Sequence, residues 1–145
     1  MTPKSIRQII AAHCGPHRYR RFVESFNRKA RDRGRLAFWQ QDVIAELSED
    51  HPLLADMTVD DLVPAFRLCH VHLTPLVDFD VPIWRDVSDV YFAPEYETER
   101  RDHFPYSPTF ALGGPNRDGK SHVTLDQCPE CVAAMEAYNE RHRDA

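Results

Sequence analysis

At 145 residues the chain has the length of one domain, or of a small domain with a helical extension. Hydrophobic residues make up 42% and aromatics 10%, enough for a packed core, so disorder is not expected over most of the length. No apolar run reaches the length that spans a bilayer. The opening MTPKSIRQII lacks the apolar stretch and small-residue cleavage site of a secretion signal. The expectation is therefore a cytoplasmic protein with no membrane partner. The net charge of −5 conceals an asymmetry. Residues 1–40 carry ten Lys/Arg against Glu24 and Asp32, whereas residues 41–145 carry eight Lys/Arg against 21 acidic residues. Such a split suits either an anionic partner for the basic part or attraction between two parts of one molecule.

In chain order, Thr2-Pro3 reads as an N-cap followed by proline at the first helical position. Ile6, Ile9 and Ile10 fall on one helical face, and Cys14-Gly15-Pro16 stops that helix. A second helix is expected from about His17 to Arg33, closed by Gly34, with Tyr19, Phe22, Val23, Phe26 and Ala30 inward and Arg18, Arg21, Arg28 and Arg31 on the other side. A third, from about Ala37 to Ser48, carries Trp39, Val43, Ile44 and Leu47. Thr58 with Asp60 and Asp61 starts a fourth, which Pro64 kinks or shortens. Eleven prolines against five glycines imply stiff, extended connections, concentrated after residue 50. Val77 to Trp84 alternates apolar and acidic residues, the period of a half-buried strand, with Pro82 confining it to an edge or ending it. Asp89 to Phe92 is a strand to pair with it. Pro94 to Asp102 suits a short charged helix, and Phe104 to Pro108 a rigid connector. Thr109–Leu112 and His122–Leu125 read as two strands of a hairpin. Cys131 to about His142 forms a terminal helix with Val132, Met135 and Tyr138 on one side.

The cysteines carry the most chemistry. A reducing compartment argues against a disulfide framework, while Cys69-His70-Val71-His72 and Cys128-Pro129-Glu130-Cys131 each place two metal-ligating side chains three residues apart. Structural zinc takes thiolate and imidazole ligands in a tetrahedron, commonly as two close pairs. Cys69, His72, Cys128 and Cys131 are thus the expected ligands of one Zn2+ ion, with His70 the rival for the histidine position. A turn with two ligands, then strands, then two ligands opening a helix is the order of a treble-clef zinc motif. Four protein ligands leave no position for water or substrate, which points to folding rather than Lewis-acid catalysis. A redox role for the CxxC is disfavoured because a thioredoxin-like pair comes after an early strand of a βαβ unit, not in the last stretch of the chain. Cys14 reads as a buried thiol near a helix end.

Other patterns are less informative. Gly114 to Ser121 matches the phosphate-binding pattern GxxxxGKS, but that chemistry needs a helix directly after Lys-Ser and further strands. The segment after Ser121 is instead the strand-like His-Val-Thr-Leu, so nucleotide binding is not expected. Asp78 and Asp80 share a strand face and read as solvated carboxylates. His13, His17, His51, His103, His122 and His142 show no paired ligand spacing, and no catalytic residue is singled out.

The run Tyr19-Arg-Arg-Phe22, Phe26-Asn-Arg, Phe38-Trp39-Gln40, Phe66-Arg-Leu-Cys69-His-Val-His72, Val81-Pro-Ile, Phe104-Pro and Cys128-Pro-Glu-Cys131 resembles a group of small uncharacterised bacterial proteins with a CxxH…CxxC pattern. The resemblance implies a metal site and no particular activity. Where that pattern leads one to expect glycine after His72, this chain has Leu73.

The expected fold is α+β: a bundle of three to four helices over residues 1–64, partly basic, packed on a small antiparallel-strand zinc-binding region over 65–145 with a C-terminal helix, together one compact unit. The first functional expectation is a non-enzymatic, zinc-stabilised module that binds a protein partner. A nucleic-acid-binding protein using the basic helix 17–35 is the second, and a treble-clef hydrolase or nuclease the third.

Overall fold

Reciprocal capping sets the first helix where the sequence places it. The Ser5 N–H donates to Thr2 Oγ1 at 3.0 Å and the Thr2 N–H to Ser5 Oγ at 2.9 Å, satisfying donors that a helix start would leave open. The computed structural model describes residues 1–85, 92–113 and 119–143. It is an α+β structure that divides into two compact units, Met1–Leu73 and Thr74–Ala145.

The first unit is helical. Helix α1 spans Pro3–Cys14. Helix α2 spans Pro16–Ser25 and continues through a π-helical segment, Phe26–Ala30, and a last turn, Arg31–Arg33. Gly34 ends it in the left-handed conformation (φ 72°), which glycine adopts without steric cost. Helix α3 spans Phe38–Leu47, a 3-10 turn covers Pro52–Asp56, and α4 spans Val59–Phe66. Pro64 lies within α4, and the helix ends two residues later, as expected where a proline removes a backbone donor. Tyr19, Phe22, Val23, Phe26 and Ala30 are all buried, as their spacing predicts. The rings of Phe22 and Phe26 lie 5.1 and 5.7 Å from that of Phe66, and Trp39 meets Phe22 edge-on at 5.7 Å.

Two features of this unit differ from the sequence reading. The second helix is not regular, because at its π-segment the Arg31 N–H bonds to the Phe26 carbonyl five residues back. In α3 the fully buried positions include Gln40 beside Val43, while Trp39 and Leu47 are only partly covered. Gln40 is tolerated there because both ends of its amide are used. Its Nε2 donates to the Phe22 carbonyl at 3.0 Å, and its Oε1 accepts from the Ala37 N–H at 2.9 Å.

The second unit is built on a three-stranded sheet in the order β2-β1-β3, where β1 is Val77–Trp84, β2 is Ala111–Leu112 and β3 is His122–Gln127. Helix α5 spans Pro94–His103 and α6 spans Pro129–Arg141. The expected hairpin between 109–112 and 122–125 does not form. Both segments flank β1 instead, β2 parallel and β3 antiparallel, so the sheet is mixed rather than antiparallel. Strand β1 offers β3 six register pairs, from Val77↔Gln127 to Pro82↔His122, where the two-residue β2 can offer few.

Nor does Pro82 put β1 at an edge, since β1 is the central strand. The Ile83 N–H donates to Ser121 O on the β3 side, so the neighbouring Pro82 nitrogen faces the other way. There β2 pairing begins only at Ile83, and the missing donor interrupts no ladder. The apolar row of β1 is buried only in its second half. Val81 and Ile83 are buried, while Val77 and Phe79 remain 42% and 41% exposed. The strand expected over Asp89 to Phe92 lies outside the described residues except for Phe92.

Replacing Gln40 with leucine keeps the volume but leaves the Ala37 N–H without its acceptor. A loss of about 1–3 kcal/mol is expected, read as a lower urea midpoint at unchanged m-value.

Candidate metal centre

The two expected ligand pairs occupy turns of the same local design. In the first, the His72 backbone N–H points at Cys69 Sγ from 3.5 Å, and His72 Nδ1 lies 3.6 Å from the same sulfur. In the second, the Cys131 N–H points at Cys128 Sγ from 3.4 Å. Each turn therefore aims a backbone donor at its first cysteine, an arrangement that favours the charged thiolate, the metal-binding form. Cys128 is the N-cap of α6 and Pro129 its first residue, so the helix start fixes the CxxC geometry.

The ligand atoms of Cys69, His72, Cys128 and Cys131 all lie within 4.8 Å of one another, close enough to hold a metal ion. The three cysteines are buried and His72 is half-buried. With metal–sulfur and metal–nitrogen distances of about 2.3 and 2.0–2.1 Å, a tetrahedral sulfur–nitrogen edge measures about 3.6 Å. The Cys69–His72 separation of 3.6 Å already equals that edge. The donor set, three sulfurs and one imidazole, is one that suits a thiophilic ion.

The first turn is held by one stripe of α2 and its π-segment that composition alone does not single out. Arg20, Glu24, Asn27 and Arg31 recur at intervals of four, three and four residues, which places them on one helical face. The Arg20 guanidinium donates to the carbonyls of His70 (3.0 Å) and Val71. The Glu24 carboxylate lies 3.2 Å from His70 Nε2. The Asn27 amide donates to the carbonyls of Phe66 (2.8 Å) and Leu68 (2.9 Å), as well as to Val23. Arg31 donates in turn to Asn27 Oδ1 at 3.2 Å. Asn27 sits in the π-segment, where a local widening of the helix is a common device for placing a functional side chain. The periodic polar stripe beside the aromatic one is the signal from which these residues could have been read.

His70, the rival histidine, is thus engaged with Glu24, and it is His72 whose nitrogen clusters with the three sulfurs. Burial pushes the His70 imidazole below its ordinary range, against the pull of Glu24 and Cys69 in the other direction. Leu73, where glycine was expected, takes the conformation a glycine would favour: its φ is 56°, and its N–H closes the turn onto Cys69 O at 2.7 Å. A left-handed residue bearing a Cβ costs about 1–2 kcal/mol, offset here by partial burial of the side chain against the helical core.

The remaining candidates separate. Cys14 is half-buried at the end of α1, its thiol pushed up by burial. Asp78 and Asp80 are exposed, and Asp80 accepts a hydrogen bond from Thr124. Of the GxxxxGKS segment, residues 114–118 lie outside the described residues. Ser121 leads directly into β3 at His122, so the helix that phosphate binding requires is not there. No helix among the described residues is long and apolar enough to cross a membrane.

Leu73→Gly is expected to retain stability within about 1 kcal/mol, because relief of the left-handed strain offsets the lost packing. Leu73→Val, β-branched and stiffer, should destabilise by more than that. Thermal melts of the two variants under identical metal conditions check the order.

No family model matches the chain, and no curated protein or solved structure matches it either. The resemblance to small bacterial proteins rests on its motif residues alone.

Proposed function

We propose that Cys69, His72, Cys128 and Cys131 bind one Zn2+ ion as a closed structural centre, and that the chain works as a non-enzymatic interaction module built around it. The convergence of four ligand atoms within 4.8 Å carries this reading. Filled by four protein ligands, a tetrahedral zinc has no open position for water or substrate. The pairs are separated by 55 residues of sequence between His72 and Cys128, so a shared ion would close a long loop and remove its entropy from the unfolded chain. The treble-clef reading draws support from the CxxC that opens α6 and departs from that motif in that, among the described residues, no two sequence-adjacent strands form a hairpin. Cys69, Cys128, Cys131 and His72 form the one candidate metal cluster among the described residues, so nothing there favours the hydrolase reading.

A protein partner is favoured by the second unit. An open groove of about 870 Å3 is lined by Phe92, Tyr96, Phe110 and Leu125 among others. Trp84, 45% exposed, stacks on Phe110 with ring centroids 4.1 Å apart. Exposed apolar area of this kind marks contact surfaces, and Val77 and Phe79 add exposed apolar area on the other face of β1. Tyr91, within the strand expected over Asp89 to Phe92, lies outside the described residues.

Metal analysis of purified protein is expected to give one zinc per chain, with a large fall in melting temperature on chelation. His72→Ala and Cys131→Ala should lose the metal, whereas His70→Gln keeps it. A chain without stoichiometric zinc, or one whose melt ignores the chelator, would end the reading.

A further inference from the structure

The cations of the first unit are not equivalent. Arg20 and Arg31 are engaged by the backbone and by Asn27, Arg28 pairs with Glu24 at 3.5 Å, and Arg18 lies over the Trp39 ring at 5.8 Å. Lys4, Arg21, Lys29, Arg33 and Arg35 are exposed and, among the described residues, have no ion-pair partner, and of these Lys29, Arg33 and Arg35 come together. They line one notch of about 230 Å3 together with Leu36, Phe38 and Gln41. Phe38 is 85% exposed, an outlying value for an aromatic ring in a unit that buries Phe22, Phe26 and Phe66 completely. The Gln41 amide donates to the Leu36 carbonyl at 2.9 Å and so fixes the wall of the notch.

We infer that this notch binds single-stranded nucleic acid, with Lys29, Arg33 and Arg35 on the phosphate backbone and the Phe38 ring stacked on a base. Three unpaired cations around a concavity concentrate negative charge, and they supply the sequence-independent part of such binding. An aromatic ring standing free beside them is the second component of a single-strand site, since every base offers a face to stack on. A duplex hides those faces, and an acidic peptide has no use for the ring. A lipid surface would need a broad apolar helix face rather than one ring. The notch is smaller than the roughly 300–1,000 Å3 of pockets that enclose a whole small ligand, which suits one unit of a polymer lying across it. This surface is distinct from the metal cluster and does not depend on a metal being bound there.

The test is fluorescence anisotropy of labelled oligo(dT) and oligo(U) with the full chain, from about 20 to 200 mM salt. Binding is expected at low salt, falling with a log–log slope near −2, as three phosphate contacts on a single strand give. Phe38→Ala should weaken binding about tenfold or more with the slope unchanged; at an exposed position it leaves the core intact. Lys29→Gln combined with Arg33→Gln should instead flatten the slope by about 0.7 per charge removed, and Lys4→Gln should do nothing. Several results overturn the inference: no binding at low salt, equal affinity for duplex, or no effect of Phe38→Ala. Tighter capture by polyglutamate or by vesicles of phosphatidylserine than by oligonucleotide overturns it as well. Protein that carries zinc yet fails to bind sinks this inference and leaves the metal centre standing. Binding by zinc-free folded protein does the reverse.

Discussion

The amide of Asn27 is the constraint on which the first unit's chemistry depends. It reaches from the π-segment of α2 to the carbonyls at the end of α4 and just beyond it, groups that a helix end leaves without intrahelical donors. By holding Phe66 and Leu68 from outside the helix, it sets where the chain leaves α4 and therefore where Cys69 stands. Arg20 and Glu24, on the same stripe, hold the next residues, His70 and Val71. The opposite stripe of α2 is buried through Phe22 and Phe26 against Phe66. One helix thus packs the core with one face and aims the CxxH turn with another.

This division of labour changes what the basic character of the helix means. Arginines that read as a phosphate-facing surface are partly structural, because burying the turn's carbonyls near α2 requires donors and guanidinium supplies several. Net positive charge over residues 1–40 therefore overstates the charge free to act on a partner. What is left over is five exposed cations, Lys4, Arg21, Lys29, Arg33 and Arg35, of which the last three gather at the far end of the helix beside a ring that no core contact explains.

The metal cluster is built on a parallel logic. Both ligand turns present a backbone N–H to the first cysteine, and both rely on a neighbouring element for their conformation. In the second turn that element is the start of α6, where Pro129 suits the first helical position. Nearby, Thr74 Oγ1 donates to the Glu130 carboxylate at 2.5 Å, fixing the middle of the CxxC turn. In the first turn the chain accepts a left-handed Leu73, strain of a kind that persists where surrounding contacts over-determine it.

Features governed by short-range contacts were legible in the chain alone. Helix starts at Thr2 and Thr58, the stop at Gly34, the buried aromatic stripe of α2 and the paired ligand spacings all arise within about four residues of sequence. The same holds for the helix that the CxxC opens. Choices among distant partners needed the folded molecule. Strand β3 joins β1 rather than β2 because β1 offers the longer ladder, and Pro82 sits in a central strand because its nitrogen faces the side where β2 has not yet begun. Gln40 is buried because a carbonyl and an amide eighteen and three residues away satisfy it. His72 rather than His70 joins the sulfurs, and His70 lies against Glu24 on another helix. In each case local spacing left two arrangements open, and a long-range hydrogen bond, ladder or ligand contact selected one.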